Sequence, residues 1–161
     1  MLSHVPAWVY GVLLALLALG LLFSRPRAVR PVVPALTALG FGAYSLYGVI
    51  SSFGASPGSL VPWALGLVAS MVGSRPWVGP VGMSRVPGSS RVLVPGSWLP
   101  LALMMGIFAL KFFVGIVHGA RLPLGALAGF GPAVSLVLGL CSGVFMARAL
   151  NVRRFVQVRS P

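Results

Sequence analysis

The sequence predicts an all-α integral membrane protein, a bundle of five transmembrane helices, and three observations lead to this prediction. Of 161 residues, 58% are hydrophobic and only 7% are charged, whereas a soluble domain has about 25% charged residues. The apolar residues form five stretches near the length of about 17–25 residues that crosses a membrane. All 12 charged side chains are Lys or Arg, and most lie between alternate stretches.

The first two predicted helices are uniformly apolar. Residues 6–23 end abruptly at Ser24-Arg25-Pro26-Arg27, and residues 34–53 end at the turn sequence Gly54-Ala55-Ser56-Pro57-Gly58. A secretory signal peptide begins with basic residues, whereas the residues before the first apolar stretch contain only His4. We therefore expect helix 1 to be retained.

The third predicted helix, residues 57–73, is short for a membrane span, so a re-entrant helix stays open as an alternative. Three arginines lie between it and the next apolar stretch. If helix 3 did not cross, these arginines would fall on the opposite side from the other basic segments. The charge distribution therefore favours a crossing.

The fourth and fifth predicted helices cover residues 98–118 and 124–147. Both are long enough to span. Helix 5 contains Pro132, and because an interior proline removes a helical hydrogen bond, we expect a kink there.

The basic residues are distributed very unevenly between the two sides of this arrangement. Those that follow helices 1, 3 and 5 are Arg25, Arg27, Arg30, Arg75, Arg85, Arg91, Arg148, Arg153, Arg154 and Arg159. The other side has Arg121. Since Lys and Arg are retained on the cytoplasmic side, we expect the N-terminus outside and the C-terminus in the cytoplasm. The preference for Arg over Lys is compatible with a GC-rich bacterium, so we expect a bacterial inner membrane, with a mitochondrial membrane as the alternative.

Two predicted segments lie outside the membrane on the cytoplasmic side. The loop 74–97 contains Val-Pro-Gly-Ser twice, at 86–89 and 94–97, and Pro-Gly is typical of a type II turn. Residues 90–93 between these turns are a candidate arm of a small hairpin. The basic tail, residues 148–161, is predicted to anchor to anionic lipids at the cytoplasmic face through its four arginines.

Small residues at four-residue spacing allow helices to approach closely in lipid. Three glycine pairs have this spacing: Gly115 with Gly119, Gly125 with Gly129, and Gly139 with Gly143. We expect them to pack helices 4 and 5 tightly against each other. Contact with a second copy is the alternative use.

Lys111 is the one charged residue deep within a predicted helix, about 19.5 Å along helix 4 from Trp98 at about 1.5 Å per residue. Residues at helical spacing share its face: they are Met104, Phe108, Gly115 and His118. Two interpretations stay open. Either the lysine stem reaches the outer interface or pairs with carbonyls, or the ammonium group accommodates an anionic ligand. The other candidate ligand-binding residues are His118, Tyr44 and Tyr47.

The absence of Asp and Glu removes several kinds of chemistry. It excludes paired carboxylate catalysis, a Ser-His-Asp triad and an oxygen-rich Mg²⁺ or Ca²⁺ site. His4 and His118 lack a carboxylate to orient them as ligands, and Cys141 is the single cysteine, so we expect no metal and no other cofactor. Because the basic residues lie between membrane helices, we expect no binding to nucleic acid. Because the chain offers no identifiable pair of nucleophile and base, we expect no enzymatic activity.

Three stretches of the C-terminal half resemble a family of small, uncharacterised multi-helix inner-membrane proteins of proteobacteria. They are 94–101 with Pro-Gly-Ser-Trp, 107–112 with a lysine inside the helix, and 142–149 with Ser-Gly-x-Phe-x-x-Arg. Phe112 stands where the resemblance implies a tyrosine. The resemblance implies a fold and a location and brings no activity.

These observations together favour a non-catalytic accessory, assembly or interaction protein. Its expected partners are the lipid bilayer and either another protein or a second copy of the chain. The alternative is a carrier or binding protein for an anionic or lipidic ligand, organised around Lys111.

Overall fold

The computed structural model of the protein describes residues 7–74, 82–86, 89 and 91–158. Five α-helices lie within this part of the chain: α1 (Ala7–Ser24), α2 (Val32–Phe53), α3 (Pro57–Gly73), α4 (Leu99–Gly119) and α5 (Phe130–Val158). Three short strands, β1 (Arg27–Val29), β2 (Ser84–Arg85) and β3 (Val92–Val94), and a 3₁₀ turn at Pro123–Ala126 complete the described elements.

The protein is all-α in its main architecture. The helices α2, α4 and α5 are long and apolar enough to cross a membrane, and α1 and α3 are apolar but shorter. The bounds of the first four helices agree with the sequence prediction to within two residues. Helix α3 is one continuous helix of 17 residues with Pro62 inside it.

The prediction for the fifth helix, residues 124–147, is wrong at both ends. Its expected start is a 3₁₀ turn, and α5 begins at Phe130 and continues to Val158. Pro132 therefore lies in the first helical turn, where its missing N–H would have no partner in the helix, so it requires no kink. Residues 148–158 of the segment predicted to be a basic surface tail are the last turns of α5.

The longest helix, α5, is packed against α3 and α2. Gly139 lies against the carbonyl of Trp63, and Gly143 lies against the carbonyl of Leu67, so α3 and α5 run parallel in close backbone contact. Gly66 makes the reciprocal approach from α3 to the α5 backbone. Because glycine has no side chain, the two backbones can approach this closely, which is typical of helices that pack in lipid.

The predicted tight packing of α4 against α5 is wrong, because the small residues of α5 face α3. A side chain at Gly115, Gly119 or Gly129 would meet nothing within 4 Å, whereas a Cβ on Gly125 would approach Val117 Cγ1 at 3.2 Å. Four-residue spacing predicted close packing for Gly139 and Gly143, but the partner is α3 and not the expected helix 4.

A buried polar contact joins three helices. The Ser45 hydroxyl of α2 donates to the Leu138 carbonyl of α5 at 3.2 Å and accepts a hydrogen bond from Trp63 Nε1 of α3 at 3.0 Å. Ser45 is fully buried. Trp63 thus contributes to the packing of the bundle.

The three strands form an antiparallel sheet in the order β1-β3-β2, at one end of the bundle. Strand β1 follows α1, whereas β2 and β3 belong to the loop between α3 and α4, so the sheet joins two separate basic segments. The hairpin expected in the loop 74–97 is present as β2 and β3. We call this the sheet end.

The C-terminal turns of α5 cover this sheet. Val152, with no exposed surface, packs with Val29, Val92 and Val94, and Phe155 and Val156 extend the contact. At the other end of the bundle, the Phe53 ring of α2 meets His118 of α4 at 5.7 Å and Phe130 of α5 at 6.0 Å. All three arginine-bearing segments therefore meet at the sheet end.

The second Val-Pro-Gly-Ser sequence does not form the expected type II turn, because Gly96 lacks the positive φ that this turn requires. Instead, a Cβ on Gly96 would collide with the Ser24 carbonyl, so the glycine allows the loop to approach the end of α1. In the first such sequence, the Ser89 N–H donates to the Val86 carbonyl at 3.1 Å.

Candidate functional site

A large apolar groove lies between α1 and α2, with α4 as its floor. Its volume is about 540 Å³ and it is open along one side, within the range of about 300–1,000 Å³ typical of ligand sites. The lining residues are Val12, Leu16, Leu19 and Phe23 of α1; Leu36, Thr37, Gly40, Phe41 and Tyr44 of α2; and Met104, Ile107 and Phe108 of α4.

The groove exists because α1 packs against α4, whereas α2 packs against α3 and α5. Leu101 of α4 fills the space beside Gly20 of α1, which holds these two helices together. On α2, Gly40 has nothing within 4 Å of the position of a Cβ, so its missing side chain leaves space in the groove.

A second, smaller cavity of about 40 Å³ lies at the sheet end. Three arginines contribute to its lining: Arg25 and Arg27, which follow α1, and Arg148 of α5. Strand β3 supplies Val94, the loop after it supplies Pro95, and the start of α4 supplies Pro100. We call this the arginine cavity.

The arginine side chains are held at this cavity without a carboxylate. The Arg27 guanidinium carbon lies 3.9 Å from the centre of the Phe23 ring, a cation–π contact. Arg148 Nη2 donates to the Pro95 carbonyl at 3.5 Å. Burial lowers the pKa of Arg27 below its ordinary value, because the charged form loses solvation. Arg27 and Arg148 also repel each other, and the chain has no Asp or Glu to offset their charges.

The groove and the arginine cavity are adjacent. Phe23 and Thr37 line both of them. The combined site therefore has an apolar section alongside the membrane-type helices and a cationic section at the sheet end.

Lys111 lies beside this site and does not line it. Its ammonium group lies 3.9 Å from the centre of the Tyr44 ring, and Tyr44 lines the groove. A Cβ at Gly48 would come within 2.5 Å of Lys111 Nζ, so the glycine provides the space for the ammonium group. The lysine thus connects α4 to α2 through an aromatic ring rather than through a carbonyl.

The four residues predicted to bind a ligand do not form one cluster. Lys111 and Tyr44 are in contact, but Tyr47 is 68% exposed and His118 lies at the opposite end of the bundle from the sheet. Gly115 and His118, which share the helical face of Lys111, are exposed. The buried positions of α4 are Pro100, Met104, Ile107, Val114 and Val117.

The arginines predicted to bind the membrane surface divide into two groups. Arg153 and Arg154 are exposed on α5, whereas Arg148 lies in the arginine cavity. Arg159 lies outside the described residues, as does His4. In the part of the chain that the structure describes, no group of three His, Cys, Asp or Glu side chains is placed to hold a metal ion.

Sequence reasoning missed Arg25, Arg27, Thr37 and Gly40 as candidate site residues. Arg25 and Arg27 were counted for orientation only. The two arginines could have been identified because two basic segments fall on the same side of the membrane and the chain has no acidic residue to neutralise them. The lateral separation of α1 from α2 has no sequence signal, because both helices are apolar all round.

The fold of the described residues defines a class: an all-α protein with five helices, three of them long and apolar enough to cross a membrane. Within this class, the chain belongs to a family of unknown function, DUF6622, which it matches over residues 1–161. This match covers the whole chain, whereas the three stretches that carry the resemblance lie in the C-terminal half. No curated protein and no solved structure matches the chain.

Proposed function

We propose that this protein crosses a bacterial inner membrane five times, with its N-terminus outside and its C-terminus in the cytoplasm. The meeting of the arginine-bearing segments at the sheet end supports this orientation, because basic segments are retained in the cytoplasm. Helix α3 is about 26 Å long at about 1.5 Å per residue. It runs beside α5, which supports a crossing rather than a re-entrant helix.

Within that membrane, we propose a non-catalytic role in which the groove binds the hydrocarbon chain of a lipid. The observation that carries this proposal is the apolar groove of about 540 Å³ between α1 and α2. Its walls are parts of apolar helices, so its open side faces the surrounding hydrocarbon. The adjacent arginines supply positive charge, which suits a lipid with an anionic headgroup. Sequence analysis gave this function as its alternative, a protein that binds an anionic or lipidic ligand. The proposed binding site is now the groove instead of Lys111.

The matched glycines Gly40 and Gly42 provide the test. Gly40 lines the groove and Gly42 does not, and neither has an atom within 4 Å of its Cβ position. In native mass spectrometry of the full chain released from membranes in mild detergent, we expect wild type and Gly42→Leu to retain a lipid. Gly40→Leu should lose most of the bound lipid, because the leucine side chain fills the groove. Equal lipid retention by the two variants, or no lipid on the wild type, would contradict the proposal.

An accessory or assembly role through contact with another helix is the second candidate. Gly115 and Gly119 are exposed on α4 at four-residue spacing and have no neighbour within 4 Å of their Cβ positions. Such a pair is typical of a surface that accepts a second helix in lipid. Crosslinking in native membranes should recover a partner or a second copy, and Gly115→Leu should abolish that product.

A further inference from the structure

We propose that the arginine cavity binds the phosphate group of an anionic lipid whose hydrocarbon chain occupies the groove. This inference rests on the proposed function and adds the chemical class of the headgroup. The residues assigned to the phosphate are Arg27 and Arg148, with Arg25 at the exposed edge of the cavity.

The charge distribution is the first argument. Arg27 and Arg148 come from different elements, β1 and α5, and are close enough to repel each other. A protein of ordinary composition would place a carboxylate between two such cations, but this chain has no Asp or Glu. A bound anion would relieve the repulsion and replace the missing counterion.

The chemistry of the guanidinium group is the second argument. It has five N–H donors in a planar arrangement that matches two oxygens of a phosphate. Within the described residues, Arg148 donates one long hydrogen bond, to the Pro95 carbonyl, and Arg27 is held by the face of Phe23. Both arginines therefore keep donors for a ligand while their stems are held in place.

The third argument is the position of the cavity. It lies where the helix ends meet the sheet, and it shares Phe23 and Thr37 with the groove. In a bilayer, lipid phosphates lie at the boundary between hydrocarbon and water, beyond the ends of the apolar helices. One molecule with a phosphate above a hydrocarbon chain matches this order of cationic and apolar sections. The cavity volume of about 40 Å³ suits a single small group.

The experiment titrates the detergent-solubilised full chain with three probes: dioleoylphosphatidylglycerol, dioleoylglycerol and inorganic phosphate. Binding is measured by native mass spectrometry for the lipids and by the shift of the thermal unfolding midpoint for all three. The variants are Arg27→Gln, Arg148→Gln and the charge-retaining Arg27→Lys. Arg154→Gln is the matched control, because it removes an exposed arginine of α5 that does not line the cavity.

We expect the phosphate-bearing lipid to bind more tightly than dioleoylglycerol. Arg27→Gln and Arg148→Gln should each weaken it by about tenfold, since each removes a charge-assisted hydrogen bond, and Arg27→Lys should weaken it less. Dioleoylglycerol binding should not change in any of these variants. Without lipid, Arg148→Gln should unfold at the same or a higher temperature than wild type, because the repulsion from Arg27 is gone. A purely structural arginine would give the opposite shift.

Other results would overturn the inference in distinguishable ways. Equal affinity for the two lipids, insensitive to the arginine variants, would reject the phosphate site and leave the lipid groove standing. Failure of both lipids to bind would reject the proposed function itself. Arginine-dependent stabilisation by inorganic phosphate that persists in Gly40→Leu, with no lipid bound to the wild type, would assign the cavity to a free anion.

Discussion

At the scale of single residues, Gly48 and Lys111 show how this chain keeps a charge among apolar helices. The ammonium group lies over the Tyr44 ring in space that only a glycine leaves free. A desolvated cation–π contact contributes about 2 kcal/mol. The pair therefore stabilises the contact between α4 and α2 without an acidic partner.

Gly48→Ala should weaken this contact, because the added methyl group would lie 2.5 Å from the present position of Lys111 Nζ. We expect unfolding in detergent to become more favourable by about 1–2 kcal/mol as the ammonium group leaves the ring. Gly42→Ala is the control, since its Cβ would meet no atom within 4 Å. Equal stability of the two variants would contradict this role of Gly48.

Lys111→Met should lower stability to a similar extent and leave lipid binding largely intact, because Lys111 does not line the groove. Thermal unfolding in detergent and native mass spectrometry measure the two effects separately. Loss of lipid binding with unchanged stability would contradict this prediction and show that Lys111 itself binds the lipid.

At the scale of elements, the hydroxyl of Ser45 holds α2, α3 and α5 together through a donated and an accepted hydrogen bond. Ser45→Ala should destabilise the bundle by about 1–2 kcal/mol, because it leaves Trp63 Nε1 without its acceptor. Ser51→Ala is the control, since Ser51 bonds only within its own helix, to the Gly48 carbonyl at 3.2 Å. A double-mutant cycle with Trp63→Phe should show that the two substitutions are strongly coupled. Additive effects of the two substitutions on stability would contradict the contact.

The parallel packing of α3 and α5 makes a second prediction at this scale. Gly139→Val should destabilise the protein by about 3 kcal/mol or prevent folding, because the two backbones must separate to admit the side chain. Gly119→Val should cost little, since its Cβ points into open space. Unfolding curves of both variants measure the difference. If Gly119→Val were the more destabilising of the two, the tight helix contact would involve α4 instead of α3.

At the scale of the whole molecule, the proposed orientation places the turn after α2 and the turn after β2 on opposite sides of the membrane. Ala55→Cys and Ser89→Cys, each in a Cys141→Ser background, put one exposed thiol in each turn. We expect a membrane-impermeant maleimide added outside intact cells to label position 55 and not position 89. Labelling of both, or of position 89 alone, would contradict five crossings with this orientation.

The sequence predicted the helices well where an apolar stretch ends in prolines, glycines or arginines, as at Ser24–Arg27 and Gly54–Gly58. It failed for α5, because residues 124–129 are as apolar as a helix and residues 148–158 carry charges. Ala149, Val152 and Val156 do have helical spacing, a signal of a packed helix that the prediction of a basic tail left unused.

The site was less predictable than the helices, because it depends on which helices separate. Leu16 and Leu36 would appear the same in sequence whether they faced a groove, a neighbouring helix or lipid. Arg27 and Arg148 are 121 positions apart, and only the sheet and the end of α5 bring them to one cavity. The distribution of charges placed both arginines on one side of the membrane, but it could not predict that they line one cavity.

The most direct test of the central proposal is an experimental density map of the full chain in a lipid nanodisc containing phosphatidylglycerol. The account predicts continuous chain-like density between α1 and α2, ending in a compact peak beside Arg27 and Arg148. A map in which α1 packs directly against α2, or in which well-resolved Phe23 and Thr37 border no lipid density, would contradict it.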